Sequence, residues 1–439
     1  MAQWNKNEQD YLNQERSLFE VYMQADRYGN IFDPLGQGFS GDLFGRLKVS
    51  QPYTLFDSTH RYSQDGDFDD KVLGAGSTVG IITAQSTATL GIGTTAGCSI
   101  IRESKRVFSY QSGKALQVLQ TFVFNPAKEN LVQRAGYASS ENGVMLELNG
   151  SQLNIIKRTS ISGTVSTITV PQSQWNVDTL DGTGFSTSNP SGIALDMTKA
   201  QLMFSEYEWL GVGCVRVGFV NSNGKFHTAH IFNHANTLDS VYMTTASLPV
   251  RYEILNSGIT TSSSTMKQIC VSVQSNGGYE KRQLLDVVRR ETTVSLSAST
   301  SFTPLVSIRL APGREDAVIV PHEFNILPDT GVGVNASFEV VLVKNATLTN
   351  ANFISTSTSS PNVYCDFSAT AMNGGIIVKN DYVVSANKAT QPLNVTQEYN
   401  WDSQLGRTQA KVSDIYTLAI RAVAGSGTAL GSLSFYDLT

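Results

Sequence analysis

Five Asn-Gly dipeptides punctuate this chain, at Asn142-Gly143, Asn149-Gly150, Asn223-Gly224, Asn276-Gly277 and Asn373-Gly374. They constrain the fold more than any other feature. Both central residues of a type I′ turn need positive φ, which Asn and Gly tolerate, so Asn-Gly between apolar alternations marks a tight β-hairpin. Two cases read cleanly. Val144 to Leu148, the turn Asn149-Gly150, then Leu153 to Ile156 is one. Val215, Val217 and Phe219, the turn from Asn221 to Gly224, then Phe226, Thr228, His230 and Phe232 is the other. Short strands with frequent turns point to sandwiches or barrels. Composition agrees: 48 Ser, 40 Thr and 36 Gly stand against only 16% charged residues. Thr is β-branched and stiff, while Ser and Gly suit turns. Aromatics at 9% and a hydrophobic share of 41% supply cores. Ser/Thr strands that are polar on both faces have a weakly specified register unless a partner chain pairs with them.

The first residues differ. Trp4, Tyr11, Leu18 and Tyr22 recur at helical spacing among Gln, Asn, Glu and Lys, with Leu12 and Phe19 beside them. That pattern predicts an amphipathic helix of about five turns closing near Gly29. Its stripe packs on its own domain or docks a neighbouring subunit. Residues 30–45 are a Gly-rich connector. The most charged stretch of the second half, residues 279–291, suggests a boundary. The expected fold is mainly β: antiparallel β-sandwich or jelly-roll-like domains behind an N-terminal amphipathic helix. The expected divisions are a helical arm and connector at 1–44, a main β-domain at 45–290 and a C-terminal β-domain at 291–439. No repeat of 20–50 residues is evident, which disfavours propellers and solenoids.

Several function classes are disfavoured. Net charge is −5, and the densest basic stretch (Lys281, Arg282, Arg289, Arg290) is interleaved with acids, so no basic stripe for nucleic acid is present. Residues 1–16 are too polar for a secretory signal, and the uncharged content of 72–101 is too rich in Thr, Ser, Gly and Gln for a spanning helix. Cys98, Cys214, Cys270 and Cys365 share no metal-ligand spacing and read as small buried hydrophobes in a reducing compartment.

In a strand, His227 points opposite to His230 and His234, so hydrogen-bonded sheet histidines are expected rather than a metal site. Asp65, Asp67, Asp69 and Asp70 begin like a calcium loop, but position six is Asp70 and position twelve Gly76, which favours a solvated acidic loop. Gly74, Gly76 and Gly80 lack the lysine and the βαβ setting of a phosphate loop and read as turn or sheet glycines. No nucleophile elbow is present. Carboxylate pairs that assemble only in space leave a polysaccharide depolymerase open. The aromatics Trp175, Phe204, Tyr207, Trp209, Phe219, Phe226, Phe232 and Tyr242 read as core, with some available to line a protein or glycan contact.

Several stretches, in order and spacing, resemble a family of virion structural proteins of tailed bacteriophages of marine bacteria and cyanobacteria. They are Gly45-Arg46-Leu47-Lys48-Val49-Ser50-Gln51-Pro52-Tyr53-Thr54-Leu55-Phe56-Asp57-Ser58, Arg106-Val107-Phe108-Ser109-Tyr110-Gln111-Ser112-Gly113-Lys114, and Gln174-Trp175-Asn176-Val177-Asp178 continuing through Asp181-Gly182-Thr183-Gly184. Then come Glu208-Trp209-Leu210-Gly211-Val212-Gly213-Cys214-Val215-Arg216-Val217-Gly218-Phe219, Phe232-Asn233-His234-Ala235-Asn236, and residues 242–250, with Cys270 and Gly277-Gly278-Tyr279 closing the block. The likeness covers roughly 45–280 and, more loosely, the rest as far as residues 430–436. It implies a non-enzymatic part of a head, neck or tail appendage, assembled in the host cytoplasm and resident in the virion, with no cofactor and no metal. The expected partners are other copies of the chain, trimeric by likeness to other phage appendages, and further virion proteins. Trp4, Tyr11, Leu18 and Tyr22 would anchor it. The alternative is a receptor-binding module of a tail fibre or spike that grips host glycan.

Overall fold

Alternating side chains build this molecule, and Ala115–Val123 shows why. Its even-numbered residues are all buried and its odd-numbered ones half-buried, the period of a strand with one face on a core. The computed structural model describes residues 51–280, 284–330, 335–355, 360–384 and 403–439, together with the backbone of 24–25, 31–32 and 391–394. Trp4, Tyr11, Leu18 and Tyr22 lie outside the described residues. So does the helix expected there, except at Gln24–Ala25, which is extended and pairs antiparallel with Ile31–Phe32.

Thr54–Ser275 and Tyr279–Thr439 form one compact unit. Within the described residues it contains four large antiparallel sheets. A seven-stranded sheet runs in the order Ser166–Pro171, Gln152–Thr159, Gly143–Asn149, Leu131–Ala138, Val250–Asn256, Ser99–Ser104, Phe68–Leu73. An eight-stranded sheet runs Phe226–Phe232, Val215–Val220, Gln201–Tyr207, Ala115–Val123, Ser264–Asn276, Thr87–Ile92, Thr78–Ile82, with Tyr53–Ser58 also on Ser264–Asn276. The inner faces meet. Tyr137 and Tyr207 pack with ring centroids 5.1 Å apart, and buried Arg102 joins the sheets by donating to Asp70 Oδ2 (2.6 Å) and to Gln268 Oε1 (2.6 Å). Its guanidinium lies 4.6 Å above the Phe68 ring.

The second sandwich uses Leu284 onward. One sheet orders Leu284–Arg289, Ser426–Asp437, Ile319–Asp329, Gln391–Asn394, with Val294–Ser297 beside Ser426–Asp437. The other orders Val363–Asp366, Thr303–Leu310, Ile415–Ala424, Ser337–Lys344, Ile376–Val384. Leu305, Ile308, Phe338, Val340, Leu418 and Ile420 of the latter share one core with Phe324, Ile326, Leu433 and Phe435 of the former. Among the described residues no helix is long and apolar enough to cross a membrane.

The hairpins form with one adjustment. Asn149 is still paired, opposite Gln152, so the turn residues are Gly150 and Ser151, and Gly150 carries the positive φ of +57°. Val215–Val220 and Phe226–Phe232 pair as expected, with Asn221 Oδ1 accepting the amides of Asn223 and Lys225.

Candidate functional site

The outer face of the seven-stranded sheet should be solvated by the alternation rule. It carries a buried ladder of charge instead. Register sets Arg251 directly opposite Glu103, Glu253 opposite Arg134, Arg134 opposite Glu147, and Glu147 opposite Asn154. Each neighbour pair bonds. Arg251 pairs with Glu103 and, at 2.5 Å, with Glu253. Arg134 reaches Glu253 at 2.6 Å and Glu147 at 2.7 Å, and Asn154 Nδ2 donates to Glu147 Oε1 at 3.2 Å. Burial by itself would raise the Glu253 carboxyl, but Arg251, Arg134 and Arg158 outweigh it and hold the group at about 2.

The ladder continues into the second sandwich through residues 404–409. Arg407 pairs with Glu103, and its amide donates to Lys105 O (2.8 Å). Gln404 Nε2 donates to Val107 O (2.9 Å). Gln409 donates from its amide to Asp69 Oδ2 (2.8 Å) and from Nε2 to Asp69 O (2.9 Å) and Ile101 O (2.7 Å). The second sandwich thereby holds the edge strand Phe68–Leu73 at Asp69, while Lys71, Val72 and Leu73 stay exposed.

Above this seam lies an open cleft of about 520 Å³. Glu103, Arg251 and Arg407 form its floor, with both arginines paired to Glu103 and Arg251 paired to Glu253 as well. Ser139, Asn142, Thr244 and Ser247 line one side, while Glu315, Asp316, Gln409 and Lys411 line the other. Asn142 fixes the first wall: its Nδ2 donates to Thr244 Oγ1 (2.7 Å) and its Oδ1 accepts the Thr244 amide (3.2 Å). Tyr137 does the same from below, donating its hydroxyl to Ala246 O (2.8 Å) and accepting the Leu248 amide (3.0 Å). The cleft presents hydroxyls, amides and both signs of charge on a fixed frame. That is hydrogen-bonding chemistry suited to a hydrated polar ligand.

The four aspartates diverge. Asp70 pairs with Arg102 and Asp67 with Arg106 (2.5 Å), Asp69 accepts from Gln409, and Asp65 Oδ1 accepts the Asp67 amide (2.9 Å). The solvated-loop expectation is therefore corrected: all four carboxylates accept a bond from within the fold. The histidine geometry is corrected too. Val217 faces His230 while Phe219 faces His227, because a bulge at Ala229 inserts one residue, so His227 and His230 share a face. They do not converge. His227 contacts Asn221 Nδ2 at 3.0 Å, His230 Nδ1 accepts the Asn176 amide (3.3 Å), and His234 bonds Gly213 O (2.6 Å) and Lys157 Nζ (2.7 Å). Among the described residues no group of three or more His, Cys, Asp or Glu is placed to hold a metal.

Gly74 turns at φ +88°, where an added Cβ would meet Cys98 Sγ at 2.6 Å, so it is a close-approach turn glycine. Cys98 and Cys365 are buried as expected, but Cys214 and Cys270 are only half-buried. Burial and the Glu208 carboxylate push the Cys214 thiol up to about 11. Trp175, Phe204, Tyr207, Phe219, Phe232 and Tyr242 are core residues, Trp209 is half-buried, and Phe226 is exposed.

Lys157 escaped the sequence reading. It is buried with its ammonium 5.0 Å above the Phe232 ring and 5.7 Å from the Tyr242 ring, and burial lowers its pKa. Its sequence position looks like any polar residue of an alternating strand, so no local signal marks it.

No protein-family model and no curated protein matches the chain. Some solved structures are distantly similar. A peanut lectin is 11% identical over 51% of this chain and 97% of its own, with a TM-score of 0.30. A β-1,3-glucanase from Mycobacterium marinum is 11% identical over 50% of this chain and 98% of its own, with a TM-score of 0.33. A carbohydrate esterase from a Shiga toxin-encoding bacteriophage is 11% identical over 52% of this chain and 100% of its own, with a TM-score of 0.29. Likenesses this distant assign neither a fold family nor an activity to the chain.

Proposed function

We propose that this protein is a non-enzymatic, self-associating structural component of a tailed-phage virion, acting by burial of surface against copies of itself and neighbouring virion proteins. One observation carries the reading. Large apolar side chains are concentrated on outermost strands, where a soluble monomer keeps charge: Ile168 on Ser166–Pro171 with Val165 beside it, and Ile376, Ile377, Val378, Tyr382 and Val384 on Ile376–Val384. The N-terminal stripe Trp4, Tyr11, Leu18 and Tyr22 supplies an anchor in the same scheme. Purified phage particles probed with antibody to this chain are expected to label at one location, and deletion of residues 1–28 is expected to abolish incorporation while the β-domains still fold. Absence of the chain from a blot of denatured particles removes the virion reading, and normal incorporation of the deletion removes the anchor.

The cleft supports a second reading, a receptor-binding module for host surface glycan. Its fixed hydroxyl and amide walls suit a sugar's hydroxyl groups. Saturable thermal stabilisation by host polysaccharide fragments is expected on this reading, and no shift at any concentration discards it.

A further inference from the structure

The strand Ile376–Val384 closes one side of its sheet, paired to Ser337–Lys344, and no strand among the described residues pairs with its other side. Ile376, Ile377, Val378, Tyr382 and Val384 are 45–67% exposed. The only charges are Lys379 and Asp381, set symmetrically about Asn380. Asn380 and Tyr382 are held in place by Glu339 Oε1, which accepts from Asn380 Nδ2 at 2.9 Å and from the Tyr382 hydroxyl at 3.3 Å.

That sequence is self-complementary in one antiparallel register. With a two-fold axis through Asn380, each Lys379 lies opposite the partner's Asp381 and each Val378 opposite the partner's Tyr382. Shifting the axis to 379 sets Lys against Lys, and shifting it to 381 sets Asp against Asp. In-register parallel pairing stacks like on like throughout. Directly opposed side chains lie ~5 Å apart, so the unlike pairs attract and the like pairs repel. Inward or flanking charge ordinarily protects an edge from indiscriminate pairing; here the same two charges select one register. The bulge at Val378, between the pairs Leu342↔Lys379 and Val343↔Ile377, ends the regular strand at Lys379, so two-fold symmetry about Asn380 centres the regular ladder on about 379–381.

We infer that a second copy of this chain docks along Ile376–Val384, antiparallel and two-fold symmetric about Asn380, making one continuous sheet across the two subunits. This deepens the self-association reading and rests on it. It also replaces the three-fold expectation at this contact, because a self-pairing edge is isologous and closes as a dimer.

Light scattering of the full chain after size exclusion tests it. Wild type is expected at twice the chain mass. Lys379→Asp and Asp381→Lys, each alone, are expected at the mass of one chain, and the double charge swap is expected to restore the dimer, which excludes misfolding as the cause. Independently, Asn380→Cys is expected to form a disulfide-linked dimer on mild oxidation. Val384→Cys is not, since two such residues would sit ~26 Å apart. A dimer unmoved by either reversal, or a trimeric wild type, overturns this interface and leaves self-association standing. A wild-type monomer across a micromolar dilution series overturns both.

Discussion

Glu253 shows how a single residue can set the acid limit of the fold. Its carboxyl sits at about 2 because Arg251, Arg134 and Arg158 outweigh its burial. A depressed acid contributes stability above its ordinary value of 4.5, and that contribution is lost as pH falls from 4.5 toward 2. A shift of this size corresponds to about 3 kcal/mol. His60, His230 and His234, lowered chiefly by burial, act earlier: the unfolded chain binds their protons first, so stability begins to fall as pH drops below 6.5. Denaturant titrations from pH 7 to pH 2 are therefore expected to show two zones of loss. Glu253→Gln strands half-buried Arg134 and buried Arg251 with fewer partners, which costs about 3–5 kcal/mol at pH 7. The same variant is expected to flatten the lower zone. A lower zone of unchanged slope in Glu253→Gln assigns the acid limit elsewhere.

At the scale of elements, edge strands are the recurrent problem and side chains are the recurrent answer. The strand Phe226–Phe232 is outermost in its sheet, yet Asn176 lies along it like one residue of a further strand. Its Nδ2 donates to Ile231 O (2.9 Å), its Oδ1 accepts the Ile231 amide (2.9 Å), and the amides of Val177 and Asp178 both donate to Ala229 O (3.1 Å). Asn176→Ala removes both side-chain bonds and is expected to cost about 1–2 kcal/mol and to speed aggregation by baring the edge. Asn176→Asp keeps the acceptor and is expected to fall between; equal loss in both variants would show that the donor alone matters. This role was hidden in the sequence. The alternation and the Asn-Gly turns made the hairpin itself legible, because both are local. The bulge at Ala229 was not, since a period-two count carries no mark where an extra residue enters, and the face assigned to His227 was wrong for that reason. The packing of Trp175 on Phe219, centroids 6.4 Å apart, explains why this loop can hold Asn176 in place.

The whole molecule is tied together by residues that look unremarkable one at a time. Glu103, Arg134, Glu147, Arg251, Glu253 and Arg407 span 305 positions of sequence numbering, and each occupies a place where an alternating strand or loop normally shows charge to water. Only register and the fold-back of residues 404–409 make them one buried network, so neither the ladder nor the cleft above it was legible beforehand. The energetic consequence concerns coupling. Each sandwich has its own core, and the seam couples them through Arg407 on Glu103, Gln409 on Asp69 and Ile101, and Gln404 on Val107. Truncating Arg407 and Gln409 together leaves both cores intact and cuts one charge-assisted bond, Arg407 to Glu103, worth roughly 1.5–3 kcal/mol, and the neutral bonds of Gln409 Nε2 to Asp69 O and Ile101 O, worth roughly 0.5–1.5 kcal/mol each. Wild type is therefore expected to melt as one calorimetric transition, and Arg407→Ala/Gln409→Ala to separate into two, with the transition of the 284–439 sandwich moved least. Two transitions already present in wild type would show that the cores never communicated across the seam. A single unshifted transition in the double variant would place the coupling in the remaining contacts, of which Ser109 Oγ on Leu438 O at 3.0 Å is the next to remove.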